Sequence, residues 1–403
     1  MEKYEESSKA LKDSLIYQMS LGARELYHSN VWAWLINKNS RYLYVFFDSI
    51  EINSTKVNLD DYEINAEREY QHRDIIIWLD SKNGNDHYYL VIENKLKSLP
   101  TREQLEKYTV PSLGDNHNHL IGAVVTGIES TLEAKARTFK LDEGKNVEWK
   151  FVSYPQIAER IKEISKDISK DLSLSQERKL SPAQEQQINE YCETIQCFSQ
   201  ILLEALQEDS GLTSRGNEQI IEAELSTVYM KLHAAQFVSR ITKERNTLEE
   251  GLPKEHNAFH FESNNSIQRD EVCIDCAYTS WVEGCESSFR MGIQIQGNQY
   301  RRFADYYQKN GINKTTEELF EKMAECGWLY KSRDGLSNEI GVASQMRKDY
   351  CQYKGSEYIF VYQYVNLEEV VKGIAFDDYI ARIKVDLDKA KGILNTCALD
   401  DFV

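Results

Sequence analysis

The chain reads as an α/β protein followed by a helical stretch and an α+β region. Three patterns carry this reading. Two neighbouring apolar β-runs are joined by a polar turn, helical spacing appears before and after them, and composition changes past residue 155. An order of helix, strands, helix, strand is the signature of a mixed sheet flanked by helices.

The elements follow in order. Residues 20–37 (SLGARELYHSNVWAWLIN) place Leu21, Tyr27, Val31, Trp34 and Leu35 near helical spacing and predict a helix. Residues 41–52 are apolar without a decisive period, and a strand is expected within 61–70. Asp74–Leu79 (DIIIWL) and Tyr88–Glu93 (YYLVIE) read as strands joined by SKNGND. A helix is expected from Arg102 to Leu113, opened by Pro100-Thr101, with Thr101 and Gln104 spaced as a capping box. Further strands are expected at 120–126 (LIGAVVT) and 149–153 (WKFVS), completing a core over 1–155. Residues 156–250 are charged, helical in pattern and nearly free of Gly and Pro, with SKDISKDLSLSQERKLS as an exposed stretch between helices. Beyond Gly251-Leu252-Pro253, VCIDCAYT, FRMGIQIQ and YIFVYQYV read as strands and 314–325 and 366–393 as helices. Residues 251–403 are therefore expected to form an α+β domain.

Composition narrows the class. With 403 residues, 41% hydrophobic and 28% charged, the chain has an ordinary globular balance, and 5 Pro and 19 Gly speak against disorder or collagen. No run approaches the roughly 18–20 apolar residues of a membrane helix. The polar start MEKYEESSKALKDS does not read as a secretory leader. A cytoplasmic protein without a membrane span is expected. The net charge of −17 disfavours nonspecific attraction to nucleic acid or anionic membrane. Local fields decide binding, however, and a metal-dependent phosphodiesterase needs acids at its centre. The 8 cysteines, all from Cys192 onward, are scattered without a small disulfide framework, which suits a cytosolic setting. Cys273-x-x-Cys276 lies in a strand pattern whose odd spacing puts the thiols on opposite faces, which argues against zinc.

The hairpin between the two apolar strands carries the chemistry. Asn83-Gly84 is the strongest two-residue hairpin signal, and with it as the loop, antiparallel partners have residue numbers summing to 167. Asp74 then falls opposite Glu93, with Cβ atoms about 4.5–5.5 Å apart. Lys95 projects from the same face, being two residues past Glu93. A Gly84-Asn85 loop would instead offset the acids by two residues. Ile76, Trp78, Tyr89 and Val91 share the face of the acids, while Ile75, Ile77, Leu79, Leu90 and Ile92 line the other. Strands apolar on both faces are central and covered. Two carboxylates at the end of such strands are costly to bury without a cation, and their oxygens suit Mg²⁺ or Mn²⁺. Such an ion activates water and takes up phosphoryl charge, with the lysine beside it. A structural ion pair between Glu93 and Lys95 is the plainer alternative.

Taken together, Asp74, Glu93-Asn94-Lys95 and the helical Gln104-Leu-Glu-Lys-Tyr108 resemble the PD-(D/E)XK nuclease superfamily. The last element is similar to the QxxxY motif of its RecB-like branch. Glu25-Leu-Tyr-His-Ser-Asn30 with Val-Trp-Ala-Trp-Leu resembles the opening helix of a bacterial branch, and Arg290–Phe303 a later segment of it. Arg73 stands where the family often has proline. The resemblance covers roughly residues 20–155 and implies a restriction-endonuclease-like core. It implies Asp74 and Glu93 as metal ligands, joined by the Asn94 main-chain carbonyl and by Glu25, with the Asn94 side chain of lesser importance. Lys95 would assist the attacking water. Gln104 and Tyr108 would face the site, supporting it and helping to position substrate or Lys95; Arg102, one of the basic residues that flank the site in the sequence, is a further candidate to meet substrate. It implies Mg²⁺, replaceable by Mn²⁺, a nucleic-acid substrate with DNA favoured over RNA, and a setting in bacterial restriction, repair or defence against phage.

Basic and aromatic residues interleave in the C-terminal region, where Arg301 and Arg302 are candidates for holding phosphates. The high acidity leaves room for an activating protein partner. His117-Asn118-His119 spells HNH but reads as a polar loop entering a strand, and His28 reads as a packing residue. Neither a Walker A loop nor a GxSxG elbow is present. Two other readings stand beside the nuclease: a non-catalytic binding module on a nuclease-like fold, and a nucleotide phosphohydrolase.

Overall fold

The structure, a computed structural model, describes residues 25–52, 54–84, 87–96, 102–109, 118–128, 137–140, 146–208, 218–252, 259–268, 271–281, 287–371 and 376–396. The chain divides into two compact units. One runs through Glu208 and includes the stretch up to Tyr229; the other runs from Met230 onward.

In the first unit, helix α1 (Glu25–Lys38) precedes strands β1 (Tyr62–Tyr70), β2 (Arg73–Ser81) and β3 (His87–Asn94). Helix α2 (Arg102–Thr109), β4 (Asn118–Gly127), β5 (Arg137–Lys140) and β6 (Asn146–Ser153) follow. Helices α3 (Tyr154–Lys170) and α4 (Pro182–Glu208) close this run. The six strands form one mixed sheet in the order β1-β2-β3-β4-β6-β5. The first three are antiparallel, β3, β4 and β6 are parallel, and β5 returns antiparallel to β6. A parallel β3–β4 pair needs a crossover, and α2 lies on it.

Both faces of the central strands are covered, as their double apolar pattern requires. Ile76, Tyr89 and Val91 pack with Leu105 and Tyr108 of α2 and with Trp149 of β6. On the other face Ile75, Ile77, Leu79, Leu90 and Ile92 are all buried, on sheet strands that α1 packs against. Each such side chain contributes about 1.5–3 kcal/mol relative to exposure.

Several expectations shift. The buried side of α1 is His28, Ser29, Trp32, Ala33, Leu35 and Ile36, whereas Trp34 is 40% exposed. The expected Leu21, Pro100-Thr101 and 110–113 lie outside the described residues. The ambiguous stretch after residue 40 forms a 3-10 helix, Ser40–Val45. Strand β5 had no sequence signal. The stretch expected to link helices stays helical to Lys170, and α3 is capped by a Ser153–Gln156 box.

Helix α5 (Ser226–Lys243) leads into the second unit, whose strands are β7 (His260–Gln268), β8 (Glu271–Trp281), β9 (Ser287–Gln296) and β10 (Gln299–Gln308). Helices α6 (Thr316–Glu325) and α7 (Gly335–Ile340), strands β11 (Cys351–Lys354) and β12 (Tyr358–Asn366), and helix α8 (Phe376–Thr396) follow. The sheet is wholly antiparallel, in the order β11-β12-β10-β9-β8-β7. Gly292 lets β9 approach β8: a Cβ there would lie 2.2 Å from the Cys276 carbonyl. Cys273 and Cys276 are buried free thiols on β8. Cys326 is disulfide-bonded, with its partner outside the described residues.

Candidate active site

The site begins at a turn. Tyr70 pairs with Arg73, so Gln71 and His72 alone connect β1 to β2. Both are left-handed, with φ of 50° and 68°, and Glu69 before them has φ of 54°. This matches the primed turn that suits strand twist, here made without Asn or Gly. Arg73 then buries its guanidinium, donating from Nε and Nη2 to the Tyr108 main-chain oxygen at 3.2 and 3.1 Å. It thereby satisfies a carbonyl in the last turn of α2 and ties that helix to the strand carrying Asp74.

Strands β2 and β3 pair from Ile75↔Ile92 to Asp80↔His87, each pair summing to 167. The register expected from the sequence is present, and its continuation sets Asp74 opposite Glu93. Part of the connecting loop, including Asn85, lies outside the described residues.

Glu93 is 1% exposed. Its Oε1 accepts hydrogen bonds from Lys95 Nζ at 2.7 Å and from Gln104 Nε2 at 2.9 Å. Gln104 Nε2 also donates to the Tyr108 hydroxyl at 3.2 Å. Asp74 Oδ2 accepts from the Asn94 amide at 2.7 Å, and Glu25 Oε1 from the Leu96 amide at 2.8 Å. The fold thus gathers Asp74 and Glu93 from two strands, Lys95 from just past the second, and Gln104, Tyr108 and Glu25 from two helices.

The electrostatics follow from burial. Desolvation raises the Asp74 carboxyl above its ordinary value, against the Asn94 amide and Lys95. Desolvation, and then the charge of Asp74, push Glu93 up to about 7, with Lys95 only partly offsetting them. Burial alone would lower Lys95, but the charges of Glu93, Asp74 and Glu25 outweigh it and raise its pKa. The ammonium therefore stays charged between the acids.

These residues fit a divalent cation. Glu93 Oε2 is buried without a hydrogen-bond partner, and the Asp74 amide adds only the weakest of the favourable influences on that carboxylate. An orphaned carboxylate oxygen beside a second carboxylate is what a hard cation would satisfy. Among the described residues no three His, Cys, Asp or Glu side chains form a ready cage. Two carboxylates and a carbonyl suit Mg²⁺, which keeps much of its own water.

Other candidates fall elsewhere. Tyr108, expected to meet substrate, is 8% exposed and packed in the core; it supports Gln104 instead. Arg102 opens α2, and its side chain lies outside the described residues. Arg302 is a correction: it is fully buried in the second unit, where it pairs with Asp386 and Glu339, so it cannot reach a surface ligand. Arg301 is half-buried on the opposite face of β10, donating to Gln294, Gln296 and Gln299 and lying 4.4 Å from the centre of the Tyr362 ring. His28 packs as expected, with Nδ1 3.0 Å from the Tyr191 hydroxyl. Asn118-His119 belong to β4, and His117 lies outside the described residues.

Sequence reasoning passed over the Asn94 side chain. It is 0% exposed and holds four hydrogen bonds. The signal was available: Asn94 continues the parity of Leu90 and Ile92, so its amide must point into the core and needs partners there.

Comparison with curated proteins and with solved structures gives no match. A family match does exist: residues 15–193 fit the PD-(D/E)XK nuclease superfamily, a span that holds the mixed sheet and every member of this acid–lysine cluster. Over that stretch the chain is similar to the PD-(D/E)XK nuclease superfamily.

Proposed function

We propose that the chain is a metal-dependent nuclease that hydrolyses phosphodiester bonds, in DNA in preference to RNA. The observation that carries this reading is the unpartnered, buried Glu93 Oε2 beside Asp74, with Lys95 and Gln104 both held on the other oxygen, Oε1. Asp74, Glu93 and the Asn94 main-chain carbonyl would hold Mg²⁺, or Mn²⁺ in its place, with Glu25 adding charge from α1. When bound, the ion supplies electrostatic stabilisation of phosphate charge and activation of water. Lys95, charged and partly exposed at 14%, is the group able to reach outward, orient a water molecule and meet phosphate charge. Gln104 keeps Glu93 Oε1 in place, and Tyr108 keeps Gln104 in place. In this reading Gln104 and Tyr108 serve as the QxxxY pair of the RecB-like branch. The setting is cytoplasmic restriction, repair or phage defence, with an activating partner offsetting the acidity.

The test is cleavage of circular duplex, linear duplex, single-stranded DNA and RNA, with Mg²⁺, Mn²⁺ or EDTA. Asp74→Ala and Lys95→Ala should each lose activity by about 10²–10³-fold. Calorimetry with Mn²⁺ separates their roles: Asp74→Ala should abolish binding, while Lys95→Met should retain it. Intact polymers with release of nucleoside monophosphates from nucleotides would favour a phosphohydrolase. Absence of Mn²⁺ binding in the unaltered protein would favour a non-catalytic module.

A further inference from the structure

We propose that the Asn94 side chain is a positioning residue that aims the catalytic segment, acting with Tyr154, Thr126 and Ser29. The inference rests on the nuclease reading of the site and adds side chains that reading does not use. Strand β3 ends at Asn94, so Lys95 lies past the strand, its amide donating to the Thr126 carbonyl at 3.0 Å. A chain end carrying two reacting side chains needs another anchor. Asn94 provides it from the interior face. Its Nδ2 donates to the Glu25 main-chain oxygen at 2.7 Å and to Ser29 Oγ at 3.1 Å. Its Oδ1 accepts from Thr126 Oγ1 at 3.1 Å and from the Tyr154 hydroxyl at 2.6 Å. Two donors and two acceptor sites are all an asparagine amide has, and all are used.

The partners come from different elements: α1, β4 and the first residue of α3. Each is firmly placed. Tyr154 is fully buried against His28 and Trp32, and Thr126 is fully buried on β4. The Asn94 main chain therefore has little freedom, and its amide holds Asp74 Oδ2 at 2.7 Å. One residue thus fixes three groups: Asp74 through its amide, and Glu93 and Lys95 through the peptides on either side. Isoleucine or alanine would pack there, but neither could hold this geometry.

The experiment compares Asn94→Ala, Tyr154→Phe and the double variant with Tyr42→Phe, which loses a part-buried hydroxyl contact to Ser165, a residue outside the Asn94 network. Readouts are Mn²⁺ affinity by calorimetry, kcat and KM for cleavage, and hydrogen exchange of the peptide spanning 93–96 in the metal-free protein. Asn94→Ala and Tyr154→Phe should weaken Mn²⁺ binding or kcat by about 10–100-fold, as loss of outer-shell support does. KM should stay within about twofold, exchange of the 93–96 segment should rise, and the double variant should be no worse than Asn94→Ala. Tyr42→Phe should match the unaltered protein in metal binding and kcat. Folded Asn94→Ala and Tyr154→Phe variants with undiminished Mn²⁺ affinity and kcat would overturn the proposal alone. An unaltered protein that binds no Mn²⁺ would overturn it together with the nuclease reading.

Discussion

Glu93 faces two requirements that pull apart. Burial favours its neutral acid, whereas a cation needs its carboxylate. Its pKa in the metal-free fold stands at about 7, against an ordinary value of 4.5. Because the folded value is the higher one, the folded protein binds the extra proton between those two values. The stabilising contribution is complete below about 4.5 and is lost as pH rises through about 7. In EDTA, Tm should therefore fall across this window, and added Mg²⁺ should raise Tm more at pH 8 than at pH 6. Proton and metal also compete, so apparent Mn²⁺ affinity should rise about tenfold per pH unit below 7 and level off above it. A flat calorimetric profile from pH 5.5 to 8 would refute that coupling. The acids and Lys95 were legible in the sequence because period-2 strand geometry and one hairpin register suffice to bring them together. Asn94 was passed over because its role depends on α1, β4 and α3, elements whose meeting point no local pattern announces.

Among the elements, the β1–β2 hairpin stores the most visible cost. Gln71 and His72 occupy left-handed backbone at φ 50° and 68° although neither is Gly or Asn. Such positions cost non-glycine residues about 1 kcal/mol or more, and strain of this kind collects near functional sites. His72→Gly should stabilise the protein by about 0.5–1 kcal/mol, read as a rise in urea midpoint with unchanged slope. A midpoint shift downward would mean that the His72 side chain makes contacts outweighing the backbone relief. Sequence reading foresaw β2, β3, β4 and β6 because their apolar runs are long. This turn carried no Asn-Gly signal, and β5, with RTFK, is too short and mixed to stand out. The α1 face was misread because Trp34 counts as apolar in any periodicity, whereas the face against the core is built around buried His28 and Ser29.

At the scale of the whole molecule, the proposed chemistry and the second fold fall in different units. The acid–lysine cluster lies wholly in the first unit, while a buried charge cluster of the second unit joins strand to helix. There Arg302 of β10 meets Asp386 of α8 and Glu339 of α7, and the Tyr300 hydroxyl donates to the same Asp386. Hydrogen bonds from Arg302, and more weakly from Lys389, hold Glu339 down at about 2. A guanidinium with no exposure is structural, which is why the Arg-aromatic clustering that drew attention in the sequence misled at this position. Removing one member of a buried ion pair leaves an uncompensated charge and costs about 3–5 kcal/mol. Arg302→Met should therefore lower the unfolding temperature of the second unit strongly. Calorimetric scans with and without Mg²⁺ supply the control, since a ligand stabilises only the unit that binds it. In the unaltered protein Mg²⁺ should raise the transition belonging to the first unit, and in Arg302→Met that shift should persist while the other transition moves down. Loss of Mn²⁺ binding in a folded Arg302→Met protein would instead require the two units to unfold and bind as one, and would return Arg302 to the list of residues on which the site depends.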